Sequence, residues 1–119
     1  MKILVICYMG MNRSRHLAGF LREKGYDADC AGILPETKNQ VSQERVDQSD
    51  VLVFVLPRIK EKFLGRFSVN AQQIIVLDVE DRIDILYPDA GELTQEEKQA
   101  IYQERVYPEL EKQIGSYFP

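Results

Sequence analysis

Two short runs of continuously apolar residues constrain the fold of this chain more than any other feature. They cover residues 2–7 and Val51–Leu56. A strand that is apolar on both faces is covered on both faces, as in parallel sheets. Two weaker strand patterns, Asp27–Cys30 and Ile74–Leu77, alternate with helical patterns along the chain. The alternation predicts an α/β fold with a four-stranded parallel sheet, helices on both faces and right-handed crossovers.

The predicted helices follow from apolar spacing and from residues typical of helix ends. Ser14–Lys24 has apolar side chains at helical spacing and stops before Gly25. A brief helix is expected to begin at Ser42, and Pro57 suits the first position of a helix that continues over Arg58–Phe67. Strand and helix thus alternate through the first two thirds of the chain.

A capping box, Thr94–Glu97, marks the start of a long C-terminal helix. Ile101, Leu110 and Ile114 have the spacing of core-facing positions. Pro108 lacks a backbone N–H and is expected to kink or restart this helix.

Composition limits the class of protein. The 119 residues, 45% of them apolar, predict one domain over residues 1–119. Two cysteines and one histidine argue against a disulfide scaffold or a zinc site, and the net charge of −4 argues against nucleic acid as a partner. Met1-Lys2 leads directly into a strand and no apolar run reaches membrane-spanning length, so we expect a cytoplasmic protein without signal peptide or membrane association.

The segment from Cys7 to Ser14 carries the strongest functional signal. A strand that ends in a short loop before a helix directs backbone N–H groups and the positive end of the helix dipole at one point, where an anion binds. A thiolate is itself an anion, so Cys7 becomes a candidate nucleophile. Arg13 can bind two phosphate oxygens, and the Ser14 hydroxyl can donate to the sulfur. The candidate substrate-binding residues are Tyr8, Met9, Gly10, Met11, Asn12, Arg13 and Ser14.

A buried cysteine at the end of a strand is, taken alone, more often a small core residue than a catalyst. The Arg13-Ser14 pair, placed after a strand and before a helical pattern, favours the functional interpretation of Cys7. Cys7 and Cys30 both follow or end predicted strands, so a protective disulfide between them is a further, weaker hypothesis.

The segment resembles the signature of the low-molecular-weight protein tyrosine phosphatases, Cys-x5-Arg-Ser directly after the first strand. Three further segments resemble that family in order: Cys30–Gly32, Ser49–Val53 and Glu80-Asp81. The resemblance implies a phosphotyrosine phosphatase I-like fold, doubly wound with strand order 2-1-3-4. It also implies hydrolysis of phosphomonoesters through a phosphocysteine on Cys7.

The resemblance further implies the role of each catalytic residue. Cys7 attacks phosphorus, Arg13 stabilises the equatorial oxygens, and Asp81 protonates the leaving oxygen and later activates water. Asp78 is the main rival of Asp81 among the acids of this stretch. The implied partner is a phosphorylated protein or a small phosphomonoester, and no metal or organic cofactor is implied.

Two departures from the family pattern bear on specificity. The family has glycine at the second loop position and asparagine at the third, whereas Met9 and Gly10 stand there in this chain. The aromatic residues that follow the family's acid are absent after Asp81, and Tyr8 or Tyr87 is expected to replace them.

Three other functions fit the same loop. Cys7, Gly10, Met11 and Ser14 also resemble the cysteine-phosphorylated IIB domains of sugar phosphotransferase systems. An arsenate reductase needs further thiols, and only Cys30 is present. A non-catalytic phosphate-binding module is the third alternative. The Arg13 and Asp81 pair favours the phosphatase over the carrier, because a carrier must not hydrolyse its phosphocysteine.

Overall fold

A computed structural model of the chain describes residues 1–89 and 91–119. The four strands are β1 (Lys2–Cys7), β2 (Asp27–Gly32), β3 (Val51–Phe54) and β4 (Gln73–Val76). All of them are parallel, and their order across the sheet is β2-β1-β3-β4. The doubly wound sheet with order 2-1-3-4 is therefore confirmed.

The helices follow the sequence prediction closely. They are α1 (Arg13–Glu23), α2 (Gln43–Asp47), α3 (Pro57–Leu64), α4 (Ile83–Leu86), α5 (Gln95–Ile101) and α6 (Tyr107–Ile114). Ser42 caps α2 by accepting a hydrogen bond from the Arg45 backbone at 3.2 Å. The α4 turn lies in a stretch that the sequence presents as a loop. In the described part of the chain, no helix is long and apolar enough to cross a membrane.

The C-terminal helix has an irregular centre. Thr94 and Glu97 form both bonds of the capping box, at 3.1 Å each, as predicted. A π-helical turn over Tyr102–Val106 joins α5 to α6 directly before Pro108. Proline lacks the N–H of the regular helical ladder and its ring crowds the carbonyl four residues earlier, so a wider turn accommodates it. The predicted interruption at Pro108 is thus a π-turn.

The central strands β1 and β3 form the middle of the core. Ile3 pairs with Val51 and Ile6 with Phe54, and all four side chains are buried. Helix α1 packs on β1, β2 and α6, while α3 packs on β3. Leu110 and Ile114 are fully buried as expected, whereas Ile101 is half-buried. The parallel arrangement brings the carboxyl ends of all strands to one edge, where the β1–α1 loop begins.

Leu110 anchors α6 in the core, and its truncation tests that packing. Leu110→Ala is expected to lower the free energy of unfolding by about 2–5 kcal/mol, because it leaves a cavity at a fully buried position. The matched control Leu64→Ala, at a side chain 45% exposed, should cost at most about 0.5 kcal/mol. Urea unfolding of both variants measures the difference, and equal losses would contradict the packing of α6.

Candidate active site

The β1–α1 loop, residues 8–13 and here called the amide loop, turns its carbonyl oxygens away from its centre. The Leu34 N–H donates to the Tyr8 carbonyl at 3.0 Å, and the Thr37 hydroxyl donates to the Met9 carbonyl. The segment after β2 therefore binds two of the loop carbonyls from behind. Because successive carbonyls and amides point in opposite directions along such a turn, this arrangement directs the amides inward.

Gly10 makes this loop conformation possible. Its φ of +70° lies in the left-handed region that favours glycine. A Cβ on Gly10 would lie only 2.5 Å from the Gly32 nitrogen, and a Cβ on Gly32 would lie 2.5 Å from the Met9 carbonyl carbon. The amide loop and the end of β2 thus pack backbone against backbone, which only two glycines allow.

One backbone amide of the loop contacts the Cys7 sulfur, and the others have no partner in the described structure. The Gly10 N–H donates to Cys7 Sγ at 3.1 Å. The N–H groups of residues 8, 9, 11, 12 and 13 have no acceptor among residues 1–89 and 91–119. Helix α1 begins at Arg13 and adds its positive end to the same point. The loop is therefore a concave group of donors suited to an anion with several oxygens.

Cys7 and Ser14 lie at the bottom of this concave surface. Their Sγ and Oγ atoms are 3.0 Å apart, and both residues are buried. A hydroxyl at this distance can donate to a thiolate, as the sequence suggests for Ser14. The sulfur thus has two donors at close range, the Ser14 hydroxyl and the Gly10 amide.

Arg13 is the largest fully buried side chain, with 1% of its surface exposed. Its Nη1 donates to the Val79 carbonyl at 2.5 Å, and its Nε lies 3.0 Å from Asp81 Oδ2. The Nε–H does not point at that oxygen, so the contact is an ion pair by distance while Nε lacks a hydrogen-bond partner among the described residues. A buried arginine with unused donors beside the amide loop is a group suited to bind an oxyanion.

Of the two rival acids, the fold brings Asp81 and not Asp78 to the loop. Burial raises the pKa of Asp81, and the charge of Arg13 opposes this effect without cancelling it. Asp78 is exposed, and its backbone N–H donates to Gln113 Oε1 at 2.9 Å on the C-terminal helix. Asp81 therefore combines a position next to Arg13 with a raised pKa, which are two features of a carboxyl group that can act as a proton donor.

Tyr8, Arg58 and Glu80 form the rim of the site. Arg58 donates to the Tyr8 hydroxyl at 2.8 Å and to both carboxylate oxygens of Glu80 at 3.1 and 2.8 Å. The Arg13 guanidinium carbon lies 6.0 Å from the centre of the Tyr8 ring. Of the two aromatic residues expected to replace the family's missing ones, Tyr8 therefore lies beside Arg13. Tyr87 lines a separate cleft with Ile83.

The groups that bind the loop from behind are not recognisable in the sequence. Asn39 Nδ2 donates to the Cys30 carbonyl at 2.7 Å and lies 3.4 Å from the Gly10 carbonyl. Arg45 in turn donates to Asn39 Oδ1 at 2.9 Å. These residues belong to a polar stretch without periodicity, and only the fold brings it against the loop. The one available signal was the pair of glycines at positions 10 and 32.

Cys30 lies behind the amide loop and not inside it. Its thiol donates to the Gly10 carbonyl at 3.6 Å, and burial raises its pKa. Cys30 pairs with Val5, two residues before Cys7, so the two cysteines are diagonal neighbours about 8 Å apart by strand geometry. This separation exceeds the reach of about 7 Å for a disulfide, so a Cys7–Cys30 bridge requires movement of the backbone.

The sheet order and the strand–loop–helix unit at its carboxyl edge define the fold. They agree with the fold that the resemblance to the low-molecular-weight protein tyrosine phosphatases implies, and the resemblance is confirmed at the level of the fold.

Solved structures of that class superpose on nearly the whole chain. The arginine phosphatase YwlE from Geobacillus stearothermophilus has a TM-score of 0.65 and 18% identity, over 98% of this chain and 89% of the other. A low-molecular-weight protein tyrosine phosphatase from T. tengcongensis has a TM-score of 0.62 and 14% identity, over 98% and 99%.

The tyrosine phosphatase Wzb from Escherichia coli K30, in complex with phosphate, has a TM-score of 0.58 and 16% identity, over 98% of this chain and 94% of the other. Neither a protein-family model nor a curated protein matches the sequence. At these identities the likeness establishes the fold.

The contact between Gly10 and Gly32 predicts a position-specific effect of alanine. Gly32→Ala is expected to lower the free energy of unfolding by about 1–3 kcal/mol, because the new Cβ meets backbone that cannot yield. Gly19→Ala in α1 meets nothing within 4 Å and should raise it by up to about 1 kcal/mol. Urea unfolding compares the two, and a stabilising Gly32→Ala would contradict the close approach.

Proposed function

We propose that this protein is a cysteine-dependent phosphomonoester hydrolase that acts through a phosphocysteine. The proposal rests above all on the amide loop: the Gly10 N–H donates to the Cys7 sulfur, the other loop N–H groups have no acceptor among the described residues, and the Nε of the buried Arg13 has no hydrogen-bond partner there. The fold, shared with solved phosphatases, supports the same reaction class.

In the proposed first step, the Cys7 thiolate attacks phosphorus and the bond to the leaving oxygen breaks. The loop amides and Arg13 stabilise the three equatorial oxygens, whose negative charge is greatest in the transition state. The Asp81 carboxyl gives its proton to the leaving oxygen, so the product leaves as an alcohol. The raised pKa of Asp81 keeps more of this acid form than an ordinary carboxyl would have near neutral pH.

In the proposed second step, water attacks the phosphocysteine and the S–P bond breaks. Asp81, now a carboxylate, accepts a proton from this water, and inorganic phosphate leaves. The Ser14 hydroxyl and the Gly10 amide donate to the departing sulfur and stabilise its negative charge. Cys7 returns to the thiolate.

The Arg13–Asp81 contact of 3.0 Å favours hydrolysis over phosphate transfer to another protein. A carrier needs a phosphocysteine that survives until its partner arrives, and a carboxylate next to the phosphate-binding arginine, able to activate water, works against that. The contact between Asp81, in the turn after β4, and Arg13, at the end of the amide loop, supports this role. We therefore propose the hydrolase in preference to the carrier and to the non-catalytic binding module.

For the substrate we propose phosphotyrosine in a protein, because the Tyr8 ring beside Arg13 offers an aromatic surface next to the proposed phosphate position. Phosphoarginine is the second candidate, since one of the similar structures is an arginine phosphatase. Assays of release of phosphate from peptides carrying either residue distinguish the two. Preference for phosphoarginine, in which a P–N bond breaks and nitrogen is the leaving atom, would overturn the phosphomonoester as substrate and leave only the phosphocysteine intermediate of the proposal in place.

Replacement of the nucleophile tests the function directly. Cys7→Ser is expected to abolish hydrolysis of p-nitrophenyl phosphate, because a hydroxyl at this position does not ionise as a thiol does. Arg13→Lys should also lose most activity, since an ammonium cannot make a two-point contact with phosphate. Cys30→Ser changes the cysteine behind the loop and is the matched control. It should retain hydrolysis, because Cys7 is unchanged. Undiminished turnover in Cys7→Ser would remove Cys7 from the mechanism.

Replacement of the proposed acid should depend on the leaving group and on pH. Asp81→Asn is expected to slow hydrolysis of substrates with basic leaving groups by about two to four orders of magnitude. In the wild type, this rate should fall as the pH rises through the raised pKa of Asp81, because the proton donor is lost. The variant should lack that decrease. Asp78→Asn is the control, and the opposite pattern would assign the acid to Asp78.

A further inference from the structure

The π-turn in the C-terminal helix aligns two tyrosines that a regular helix would separate. Tyr102 and Tyr107 are five residues apart, which in an α-helix places side chains about 140° apart around the axis. In the π-turn the Tyr107 N–H donates to the Tyr102 carbonyl, closing a wider turn. Their rings stack with centres 6.2 Å apart and planes 21° apart. The turn therefore places both rings on one face.

This face is directed at the amide loop. The Tyr107 hydroxyl donates to Asn12 Oδ1 at 2.6 Å. Burial, followed by the Asp81 charge, raises the pKa of Tyr102, while Asn12 and Arg13 act in the opposite direction. Tyr102 is thus near the same loop and near the proposed acid. Both tyrosines are half-buried, between the helix and the site.

The Tyr107 ring is held on its other side by α1. The His16 ring stacks on it with centres 4.0 Å apart and planes 5° apart. His16 Nε2 lies 3.5 Å from Glu111 Oε2, one turn further along α6. Stacking from two sides leaves the Tyr107 ring little freedom, so the position of its hydroxyl is well defined.

Asn12 is the residue through which this contact reaches the loop. It precedes Arg13, and its carbonyl accepts the His16 N–H at 2.9 Å in the first turn of α1. At this position an asparagine side chain usually caps the helix, but Asn12 makes no such bond. Its side chain is bound by Tyr107 instead. The C-terminal helix thereby contacts the loop directly beside its arginine.

We propose that Tyr107 is a positioning residue for the amide loop, acting through Asn12. Its hydrogen bond sets the direction of the Asn12 side chain and of the peptide that leads into Arg13. The stacked Tyr102 ring holds Tyr107 in place. The C-terminal helix is therefore part of the anion site, although none of its residues contacts the sulfur. This role rests on the proposed function only where it is tested by enzyme kinetics, and the phosphate-binding test is independent of that function.

Binding of inorganic phosphate tests this role apart from catalysis. Tyr107→Phe keeps both ring stacks and removes only the hydroxyl. Loss of one neutral hydrogen bond predicts phosphate affinity about two- to tenfold weaker by titration calorimetry, with an unchanged circular dichroism spectrum. Tyr117→Phe, at a side chain 49% exposed, is the matched control and should bind as the wild type does. Wild-type affinity in Tyr107→Phe would overturn the proposal.

A double-mutant cycle identifies Asn12 as the intermediary. Asn12→Ala and the double variant with Tyr107→Phe should bind phosphate equally, because the hydroxyl has no second route to the loop. Additive losses would show that Tyr107 does not act through Asn12. With p-nitrophenyl phosphate, Tyr107→Phe should lower kcat/KM while Tyr117→Phe does not.

The two proposals fail in different ways. Weaker phosphate binding in Tyr107→Phe, combined with no hydrolysis by the wild type, would sustain the positioning role and overturn the hydrolase. Hydrolysis by the wild type with unaltered binding and kcat/KM in Tyr107→Phe would sustain the hydrolase and overturn the positioning role.

Discussion

The close contact between Gly10 and Gly32 is the constraint on which the rest of the site depends. Two backbone segments approach so closely that a Cβ on either would lie 2.5 Å from an atom of the other. This approach lets the chain after β2 bind the loop carbonyls, and bound carbonyls on the outside leave the amides inside. Gly10 also donates its own N–H to Cys7 Sγ at 3.1 Å, so the same contact positions a donor at the sulfur.

Arg13 joins this loop to the other half of the sheet. It lies in the first turn of α1, yet its guanidinium contacts Val79 and Asp81, which follow β4 at the far edge. A buried cation without an anion or acceptor is costly, so the ion pair and the carbonyl contact stabilise both the arginine and the turn after β4. The same interaction brings the proposed acid to the arginine at the end of the amide loop.

The departures from the family pattern have structural counterparts in this chain. Glycine stands at the third loop position, where it adopts a left-handed conformation that few other residues tolerate. The asparagine that the family has at that position is replaced by Gly10, and Asn39 reaches the Gly10 carbonyl from the next segment. Of the two aromatic residues expected in place of those absent after the acid, Tyr8 lies beside Arg13 on the rim, and Tyr87 lies in a separate cleft.

Local patterns in the sequence determined the order of elements, the parallel sheet and the loop between Cys7 and Ser14. These depend on near neighbours: apolar runs, helix caps, and a cysteine at the end of a strand, directly before the loop that opens a helix. Other features depend on segments that are distant in the sequence. They are the presence of Asp81 rather than Asp78 at the loop, the contacts of Thr37 and Asn39, and the tyrosine pair of the π-turn. Hydrogen bonds between such distant segments leave no periodic pattern in the sequence from which they could be predicted. Only the tertiary structure, by packing β2, β4 and α6 around one loop, decided which polar side chains meet there.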